Sequence, residues 1–346
     1  MRVIDNPLRG HGLSSVDGMA EGEISVDVAA ARALYARCPI AKPTPLVPLK
    51  MLVSDLGIKS LHAKDERQRM GLGSFKALGA AYALAKEAVA LGGDPATALS
   101  GRTYVCASAG NHGISMAAGA QLFGAAAVVY LSRTVPESFA DRLREKGADV
   151  LRAGGDYEES LVAAMEESEK RGWHLLSDSS WEEYSTPARN VMEGYLVMGA
   201  EAAEQIPETP THVFLQAGVG GLAAAGAAMA RVTWGDAVKI VVVEPEAAPA
   251  LFNSIEAGKP VNAAGPVSIM GRLDCKEPSH LALKYLAREA DAFALVTERE
   301  GEEAAARLDD SQMPTTPSGA GGFAGLCGMP QSNMRALIYV SEGTDA

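Results

Sequence analysis

The stretch Gly71-Leu72-Gly73-Ser74-Phe75-Lys76-Ala77-Leu78-Gly79-Ala80 joins a short apolar segment to an alanine-rich one. Its pattern predicts a strand over Lys59 to Lys64 and a helix over Phe75 to Val89. A lysine one turn into such a helix is usually a solvated surface charge. Lys76 can instead anchor a cofactor covalently, but only if other loops bring partner groups to it.

Two further glycine-bearing loops have the same setting, because each follows a predicted apolar strand and precedes a predicted helix. They are Ser108-Ala109-Gly110-Asn111-His112-Gly113 and Gly218-Val219-Gly220-Gly221-Leu222. Backbone N–H groups at a helix N-terminus bind phosphate when glycines allow a close approach. Together the three loops offer an amine, an amide side chain and a phosphate cradle. These are the groups that hold pyridoxal 5'-phosphate (PLP) as a Schiff base.

A dinucleotide site is the main rival interpretation of the loop Gly218 to Gly221. Such a site also places an acidic residue about 20 residues further on, at the end of the next strand. Glu244 follows the apolar run Val241 to Val243 and could be mistaken for that residue. The nucleotide interpretation leaves Lys76 and Asn111 without a role, so we favour the phosphate of PLP.

Composition favours a two-domain protein with small-molecule partners. The chain has 346 residues, of which 47% are hydrophobic, more than one layer system normally buries. A net charge of −12 does not indicate a basic surface for binding nucleic acid, and no apolar run is long enough to span a bilayer. The four cysteines are widely spaced and indicate neither a disulfide framework nor a metal site, which fits the cytoplasm.

Strands and helices alternate along most of the chain, which is typical of parallel α/β sheets with ligands at the carboxyl ends of the strands. Residues 1–23 are glycine-rich and aperiodic, so we expect either an arm over another subunit or disorder. A first helix is expected over Val26 to Ala36. Further strands are predicted at 104–107, 126–131, 149–152, 174–177, 213–216, 239–243, 293–296 and 337–340, and further helices at 112–123, 138–146, 157–171, 187–205, 222–232 and 298–308.

The three loops, in this order, resemble the fold type II (tryptophan synthase β-like) PLP-dependent enzymes. The resemblance is closer to diaminopropionate ammonia-lyase and covers roughly residues 35–343. It is carried by Lys64-Asp65-Glu66, Asp178 with Trp181 and Tyr184, the segment 215–223, Ile269-Met270, and Leu273, Cys275 and Glu277-Pro278-Ser279.

This resemblance implies an α/β fold of two parallel-sheet domains with PLP in the cleft between them. The large domain is expected to begin with residues 1–80 and to resume, with the phosphate-binding loop, at residues 185–346. The small domain is expected at residues 81–184. The resemblance also implies a small amino acid as substrate, and we expect a homodimer.

The site residues follow from the same resemblance. Lys76 would form the Schiff base and act as general base, with desolvation lowering its pKa. Asp178 would take part in proton transfer, although an aspartate at a strand end often only caps the next helix. The remaining cofactor contacts are Phe75, Asn111 at the ring 3'-oxygen, Gly218, Val219, Gly220, Gly221 and Leu222 at the phosphate, and Ser318 at the pyridine nitrogen.

The loop before Asn111 is expected to bind the substrate carboxylate through Ser108, Ala109, Gly110 and His112, although a histidine behind such a loop is more often packed than catalytic. Diaminopropionate ammonia-lyases carry an aspartate where this chain has Ala109, so the loop is more similar to that of threonine and serine dehydratases. This chain differs from the diaminopropionate enzymes at a second place, because it has the charged residues Arg272, Asp274 and Lys276 where their segment is mostly small residues.

The sequence therefore predicts a PLP-dependent lyase. Its reaction would be an α,β-elimination on a small β-substituted amino acid, 2,3-diaminopropionate or a similar compound, that yields a 2-oxo acid and ammonia. A dehydratase for serine, threonine or 3-hydroxyaspartate is the close alternative, and a β-replacement synthase is a more distant one. A catalytically silent PLP-binding protein conflicts with an intact Lys76.

Overall fold

Two sheets organise the computed structural model, which describes residues 1–344. Its strands are β1 (Arg2–Asp5), β2 (Leu46–Pro48), β3 (Ser60–Asp65), β4 (Thr103–Cys106), β5 (Ala126–Leu131), β6 (Ala148–Arg152), β7 (His174–Leu175), β8 (His212–Gln216), β9 (Lys239–Pro245), β10 (Ala292–Val296) and β11 (Arg335–Val340). Its helices are α1 (Val28–Tyr35), α2 (Lys50–Leu56), α3 (Ala80–Leu91), α4 (Asn111–Leu122), α5 (Glu137–Glu145), α6 (Tyr157–Arg171), α7 (Thr186–Gln205), α8 (Gly221–Trp234), α9 (Ala250–Ala257), α10 (His280–Glu289), α11 (Glu298–Asp310) and α12 (Gly321–Cys327).

The larger sheet has, within residues 1–344, seven strands in the order β1-β10-β9-β8-β11-β3-β2. Its five inner strands run parallel, while β1 and β2 pair antiparallel at the two edges. The smaller sheet, β6-β5-β4-β7, is parallel throughout. The predicted α/β class with two parallel-rich sheets is therefore confirmed.

The smaller sheet lies inside the segment 81–184 that the resemblance assigns to the small domain. The domain boundaries themselves remain a prediction. Residues 345 and 346, which end the second part of the large domain, lie outside the described residues.

The centre of the larger sheet is apolar on both faces. Val213 to Leu215 in β8 and Ile240 to Val243 in β9 are fully buried, as expected for parallel strands covered by helices on both sides. Helix α8 is alanine-rich and buried along most of its length, so the loop that leads into it has a rigid support. In the part of the chain that the structure describes, no helix is both long and apolar enough to cross a membrane.

Parts of residues 1–23 contact distant segments of their own chain, which the expectation of disorder did not include, while an arm over another subunit stays a prediction. Strand β1 extends the larger sheet by pairing with β10. The Asn6 side chain donates hydrogen bonds to the carbonyl oxygens of Ala287 (2.9 Å) and Ala290 (2.7 Å), and Lys284 Nζ donates to the carbonyl of Ala20 (2.8 Å). These partners are about 260 to 280 residues away in sequence, which is why no local pattern reveals them.

The helix predicted over Phe75 to Val89 is interrupted. Phe75–Leu78 forms a 3-10 turn, and the α-helix begins only at Ala80. Strand β7 is also shorter than predicted, ending at Leu175 instead of Ser177. Both differences place irregular backbone next to a residue predicted to be catalytic.

A buried cluster of charges holds the chain between β3 and the Lys76 turn. Lys64, Glu66 and Arg69 are at most 1% exposed, and Glu201 of α7 is 6% exposed. Lys64 Nζ and Arg69 Nη2 each donate to Glu201 Oε2 at 2.7 Å, and Arg69 also donates to both carboxylate oxygens of Glu66 at 2.7 Å. Burial acts to raise the pKa of the Glu201 carboxyl, but the hydrogen bond and the charge of Arg69 hold this pKa below its ordinary value.

Replacing Glu201 with alanine should strongly destabilise the protein, because Lys64 and Arg69 would stay buried without their shared partner. Removing one member of a buried ion pair costs about 3–5 kcal/mol. Glu204→Ala is the matched control on the same helix, since Glu204 is 61% exposed and pairs, among residues 1–344, with Arg32 alone. It should change the free energy of unfolding by at most about 1 kcal/mol. Urea unfolding of both variants would measure the difference, and equal losses would contradict the role of the cluster.

Candidate active site

Neighbouring parallel strands bring the predicted site residues together. Strands β3, β11 and β8 are adjacent in the larger sheet, and their carboxyl ends lead to the Lys76 turn, to Ser341-Glu342 and to the glycine loop 218–221. Strands β4 and β7 are adjacent in the smaller sheet and lead to the Asn111 loop and to Asp178. The two sheets meet where Lys76 Nζ donates a hydrogen bond to the Asp178 carboxylate.

Lys76 and Asp178 form a largely buried ion pair, with side chains 21% and 17% exposed. Burial would lower the pKa of Lys76, but the charge of Asp178 outweighs it and the pKa lies above its ordinary value. Burial would likewise raise the pKa of Asp178, but Lys76, and after it His112, hold it below its ordinary value. In this pair a carboxylate close in space outweighs desolvation, while the expected lowering of the Lys76 pKa beside PLP stays a prediction.

Aromatic rings cover the lysine. Lys76 Nζ lies 5.3 Å from the ring centroid of Phe75 and 5.8 Å from that of Tyr195, a residue in the middle of α7. The two rings pack on each other with centroids 4.8 Å apart. The backbone N–H of Phe75 donates to the carbonyl of Ser341 at 3.0 Å, which ties the turn to the end of β11.

Hydrogen bonds fix the backbone on both sides of Asp178. The Tyr184 hydroxyl accepts a hydrogen bond from the Ser177 N–H and donates one to the Leu175 carbonyl, both at 2.9 Å. On the other side, the hydroxyl oxygens of Ser180 and Ser279 lie 2.7 Å apart, and the Ser279 N–H donates to the Val219 carbonyl at 3.0 Å. Asp178 is thereby linked through Ser279 to the glycine loop.

The glycine loop turns at Gly220 directly into helix α8. Gly220 has φ +102°, a conformation that side chains rarely adopt, and it precedes the first residue of α8. A Cβ on Gly218 would lie 2.9 Å from Cys275 Sγ, so the loop packs directly against the segment 272–275. Glu244, the acidic residue of the rival nucleotide interpretation, instead accepts hydrogen bonds from the backbone N–H groups of Leu251 and Phe252 in α9.

The Asn111 loop joins the smaller sheet to the same place. Asn111 is the first residue of α4, and its Nδ2 donates to Glu342 Oε2 at 2.7 Å. His112 is buried, with its Nε2 hydrogen-bonded to the Leu176 carbonyl at 2.7 Å, which is the geometry of a packed histidine. Ser108 and Ala109 are half-buried in the loop between β4 and α4.

Ser318 lies in a loop that touches the end of β11. It is 2% exposed, and its hydroxyl oxygen accepts a hydrogen bond from the Arg272 backbone N–H at 3.1 Å. A Cβ on the next residue, Gly319, would lie 3.2 Å from Glu342 Cγ. Ser341, which directly follows β11 and contacts the Lys76 turn, carries a second buried hydroxyl in this region.

The new charges in the segment 272–276 have two different roles. Lys276 Nζ donates to the carbonyls of Ala247 (2.8 Å) and Pro266 (2.9 Å) and pairs with Asp274, so it holds the backbone. The Arg272 side chain faces the cleft, with its Nε 4.0 Å from Glu342 Oε2 and against Gly110 of the Asn111 loop.

Glu342 and Tyr195 are site residues that the sequence reasoning missed. Glu342 could have been found, because it follows a buried strand at the sheet edge where ligands collect. Tyr195 carries no such signal, since it is one aromatic residue in an apolar helix. Burial raises the pKa of the Glu342 carboxyl, and the hydrogen bond from Thr316 and the charges of Arg272 and Lys76 oppose this shift.

Comparison with known proteins agrees with this geometry. The family described as pyridoxal-phosphate dependent enzymes (PALP) matches residues 38–341. The chain belongs to this family. It is 32% identical to the diaminopropionate ammonia-lyase of Escherichia coli (strain K12) over 278 residues, 76% of this chain and 70% of the relative. It is 28% identical to the L-threonine ammonia-lyase of Thermotoga maritima over 244 residues, 70% of this chain and 59% of that one.

A solved structure of a diaminopropionate ammonia lyase is also similar to this chain. The crystal structure of diaminopropionate ammonia lyase from Escherichia coli in complex with D-serine matches with a TM-score of 0.87 and 25% identity, over 99% of this chain and 94% of that chain. The resemblance found in the sequence is thus confirmed. This PLP-dependent enzyme has the fold type II architecture and is a lyase.

The residues in the cleft fit PLP. The Lys76 side chain is 21% exposed, and no side chain of residues 1–344 caps the N-terminus of α8, where the glycine loop ends. Asn111 Oδ1 is a buried polar atom without a hydrogen-bond partner among the described residues. A polar ring with a phosphate group would supply partners for these groups.

Borohydride treatment of the holoenzyme should fix the cofactor to Lys76, and peptide mapping would locate the adduct. Lys76→Ala should abolish both the adduct and turnover, because no amine would remain at that place, while some PLP stays bound through the glycine loop. Lys86→Ala is the matched control, since Lys86 lies one helix further on with 43% of its side chain exposed. An adduct that maps to any other lysine would contradict the assignment.

Proposed function

We propose that this enzyme eliminates the β-substituent of a small amino acid, 2,3-diaminopropionate or a closely similar compound, and releases a 2-oxo acid and ammonia. The observation that carries the proposal is the Lys76–Asp178 ion pair at the junction of the two sheets. This pair brings one amine and one carboxylate together in space, in a chain that is 32% identical to a diaminopropionate ammonia-lyase.

PLP, when bound, withdraws electrons from the substrate Cα, which makes the Cα–H acidic and allows the β-substituent to leave. Lys76 would remove the Cα proton as general base, since its amine lies in the cleft and is fixed by Asp178. The proton that Lys76 takes from Cα would then pass to the departing group, and the Asp178 carboxylate, which accepts a hydrogen bond from the Lys76 amine, would take part in that transfer. Elimination of an amine needs such a proton, because ammonia leaves more easily than its anion.

The remaining roles are binding roles. The backbone N–H groups of the loop Ser108 to Gly110 would hold the substrate carboxylate, with His112 supporting the loop from behind. Asn111 would donate to the ring 3'-oxygen, and Phe75 would cover one face of the ring. Ser318 is proposed at the pyridine nitrogen, where a hydroxyl can donate a hydrogen bond without protonating that atom.

Ser341 is the other buried hydroxyl in this region. The cofactor absorbance of Ser318→Ala, compared with that of Ser341→Ala, would decide which of the two hydroxyls contacts the pyridine nitrogen.

A dehydratase for serine, threonine or 3-hydroxyaspartate is the second candidate. Ala109 favours it, because the loop 108–112 resembles that of the dehydratases and lacks the aspartate of the diaminopropionate enzymes. The 28% identity to an L-threonine ammonia-lyase points the same way.

We also propose that the enzyme is a cytoplasmic homodimer. Cys38, Cys106, Cys275 and Cys327 are all free thiols in the structure, which fits a reducing compartment. Light scattering on the purified protein would give the mass of two chains.

Release of ammonia and 2-oxo acid should be highest with the L form of one substrate in a panel of L- and D-diaminopropionate, serine, threonine and 3-hydroxyaspartate. Lys76 can serve only the Cα face that it covers, and Ala109 has no carboxylate for the opposite face. Loss of a positioned general base costs about 10²–10⁴ in rate, so the D forms should be poor substrates. Absence of ammonia release from every member of the panel would sink the proposal.

Two variants at position 109 separate charge from size. Ala109→Asp should raise turnover of the D forms, because it adds a base on the second face. Ala109→Asn is the matched control, similar in size but unable to accept the proton, and it should leave the D rates low. Comparable D and L rates in the wild type would show that Ala109 does not govern chirality.

A further inference from the structure

Glu342 is a buried carboxyl group at the end of β11, in the cleft where the two sheets meet. Its side chain is 3% exposed. Oε2 accepts a hydrogen bond from Asn111 Nδ2 at 2.7 Å, and Oε1 accepts one from the Thr316 hydroxyl. The backbone carbonyl of Glu342 accepts another from the Thr315 hydroxyl. Both carboxylate oxygens are therefore engaged, and each of them acts as acceptor.

An acceptor at this place decides which way the Asn111 amide points. An asparagine side chain has a donor end, the NH₂ group, and an acceptor end, the carbonyl oxygen, and the two can exchange places by a flip. A carboxylate at 2.7 Å attracts the NH₂ end and repels the carbonyl end. The NH₂ group carries two hydrogens, so one N–H stays available after the other has bonded Glu342.

We propose that Glu342 is a positioning residue that orients the Asn111 amide, so that the second N–H of Asn111 is presented to the ring 3'-oxygen of PLP. The inference depends on the role given to Asn111 under the proposed function. A ring oxygen that carries negative charge binds an N–H and is repelled by a carbonyl oxygen. A flipped amide would therefore weaken cofactor binding although every residue of the site is still present.

The neighbours of Glu342 present donors and a positive charge to its carboxyl oxygens. Arg272 Nε lies 4.0 Å from Oε2, and the Thr316 hydroxyl donates to Oε1. Asn111 Oδ1 has no partner among the described residues, so Glu342 supplies the contact that distinguishes the two amide orientations.

A double-mutant cycle on the holoenzyme tests the coupling. Glu342→Gln should weaken PLP binding about tenfold, because glutamine can bond either end of the amide and no longer selects the NH₂ end. Asn111→Ala should weaken it by a similar factor, and the double variant should be no weaker than Asn111→Ala alone. The readouts are the PLP dissociation constant after dialysis and the position of the visible absorption band of the bound cofactor.

A swapped pair separates positioning from a merely structural contact. In the variant Asn111→Asp with Glu342→Gln, an amide and a carboxylate still face each other, but donor and acceptor have changed sides. The swapped pair should keep the urea midpoint near that of the wild type and still bind PLP as weakly as Asn111→Ala. Glu204→Gln, on the exposed face of α7, is the control and should change the dissociation constant by less than about twofold.

Three results would overturn the proposal. The first is a Glu342→Gln effect that adds fully to that of Asn111→Ala, and the second is recovery of PLP affinity in the swapped pair. The third is wild-type affinity and spectrum in Asn111→Ala, which would also remove the cofactor role of Asn111. Ammonia release and the Lys76 adduct would be unaffected by that last result, so failure here is distinguishable from failure of the proposed function.

Discussion

Parallel pairing of β8, β11 and β3 is the constraint on which the site depends. Parallel strands end at the same edge of a sheet, so the chain segments that follow them must leave side by side. In this enzyme those segments carry the glycine loop, Glu342 and the Lys76 turn, which lie more than a hundred residues apart in sequence. The adjacent strands β4 and β7 do the same for Asn111 and Asp178 in the smaller sheet.

The site is also an arrangement of buried charges. Behind the Lys76 turn, Lys64, Glu66, Arg69 and Glu201 neutralise each other where hardly any water reaches them. Desolvation makes such groups costly unless each has its partner, so the cluster defines one conformation of the turn rather than adding large net stability. In the cleft, Lys76 and Asp178 balance each other in the same way, and each shifts the pKa of the other away from the value that burial alone would favour.

Much of the site could be predicted because its residues stand in local patterns that have a physical meaning. A glycine run between an apolar strand and an alanine-rich helix indicates a phosphate loop, and Gly220, with its positive φ, lies there as expected. The packed state of His112 agrees with the ordinary behaviour of a histidine behind such a loop. Residues 1–23 could not be predicted, because the pairing of β1 with β10 depends on a partner strand far away in sequence.

The sequence by itself determined the α/β class, the family, PLP as cofactor and the loops that carry the site, because strand periods, glycine loops and motif order are local properties of the chain. Only the tertiary structure decided which of these loops touch. It placed Asp178 against Lys76, Glu342 against Asn111 and Tyr195 over the lysine. The physical reason is that charges and hydrogen bonds act over a few ångströms in space, and that separation between distant residues is set by strand order and helix packing.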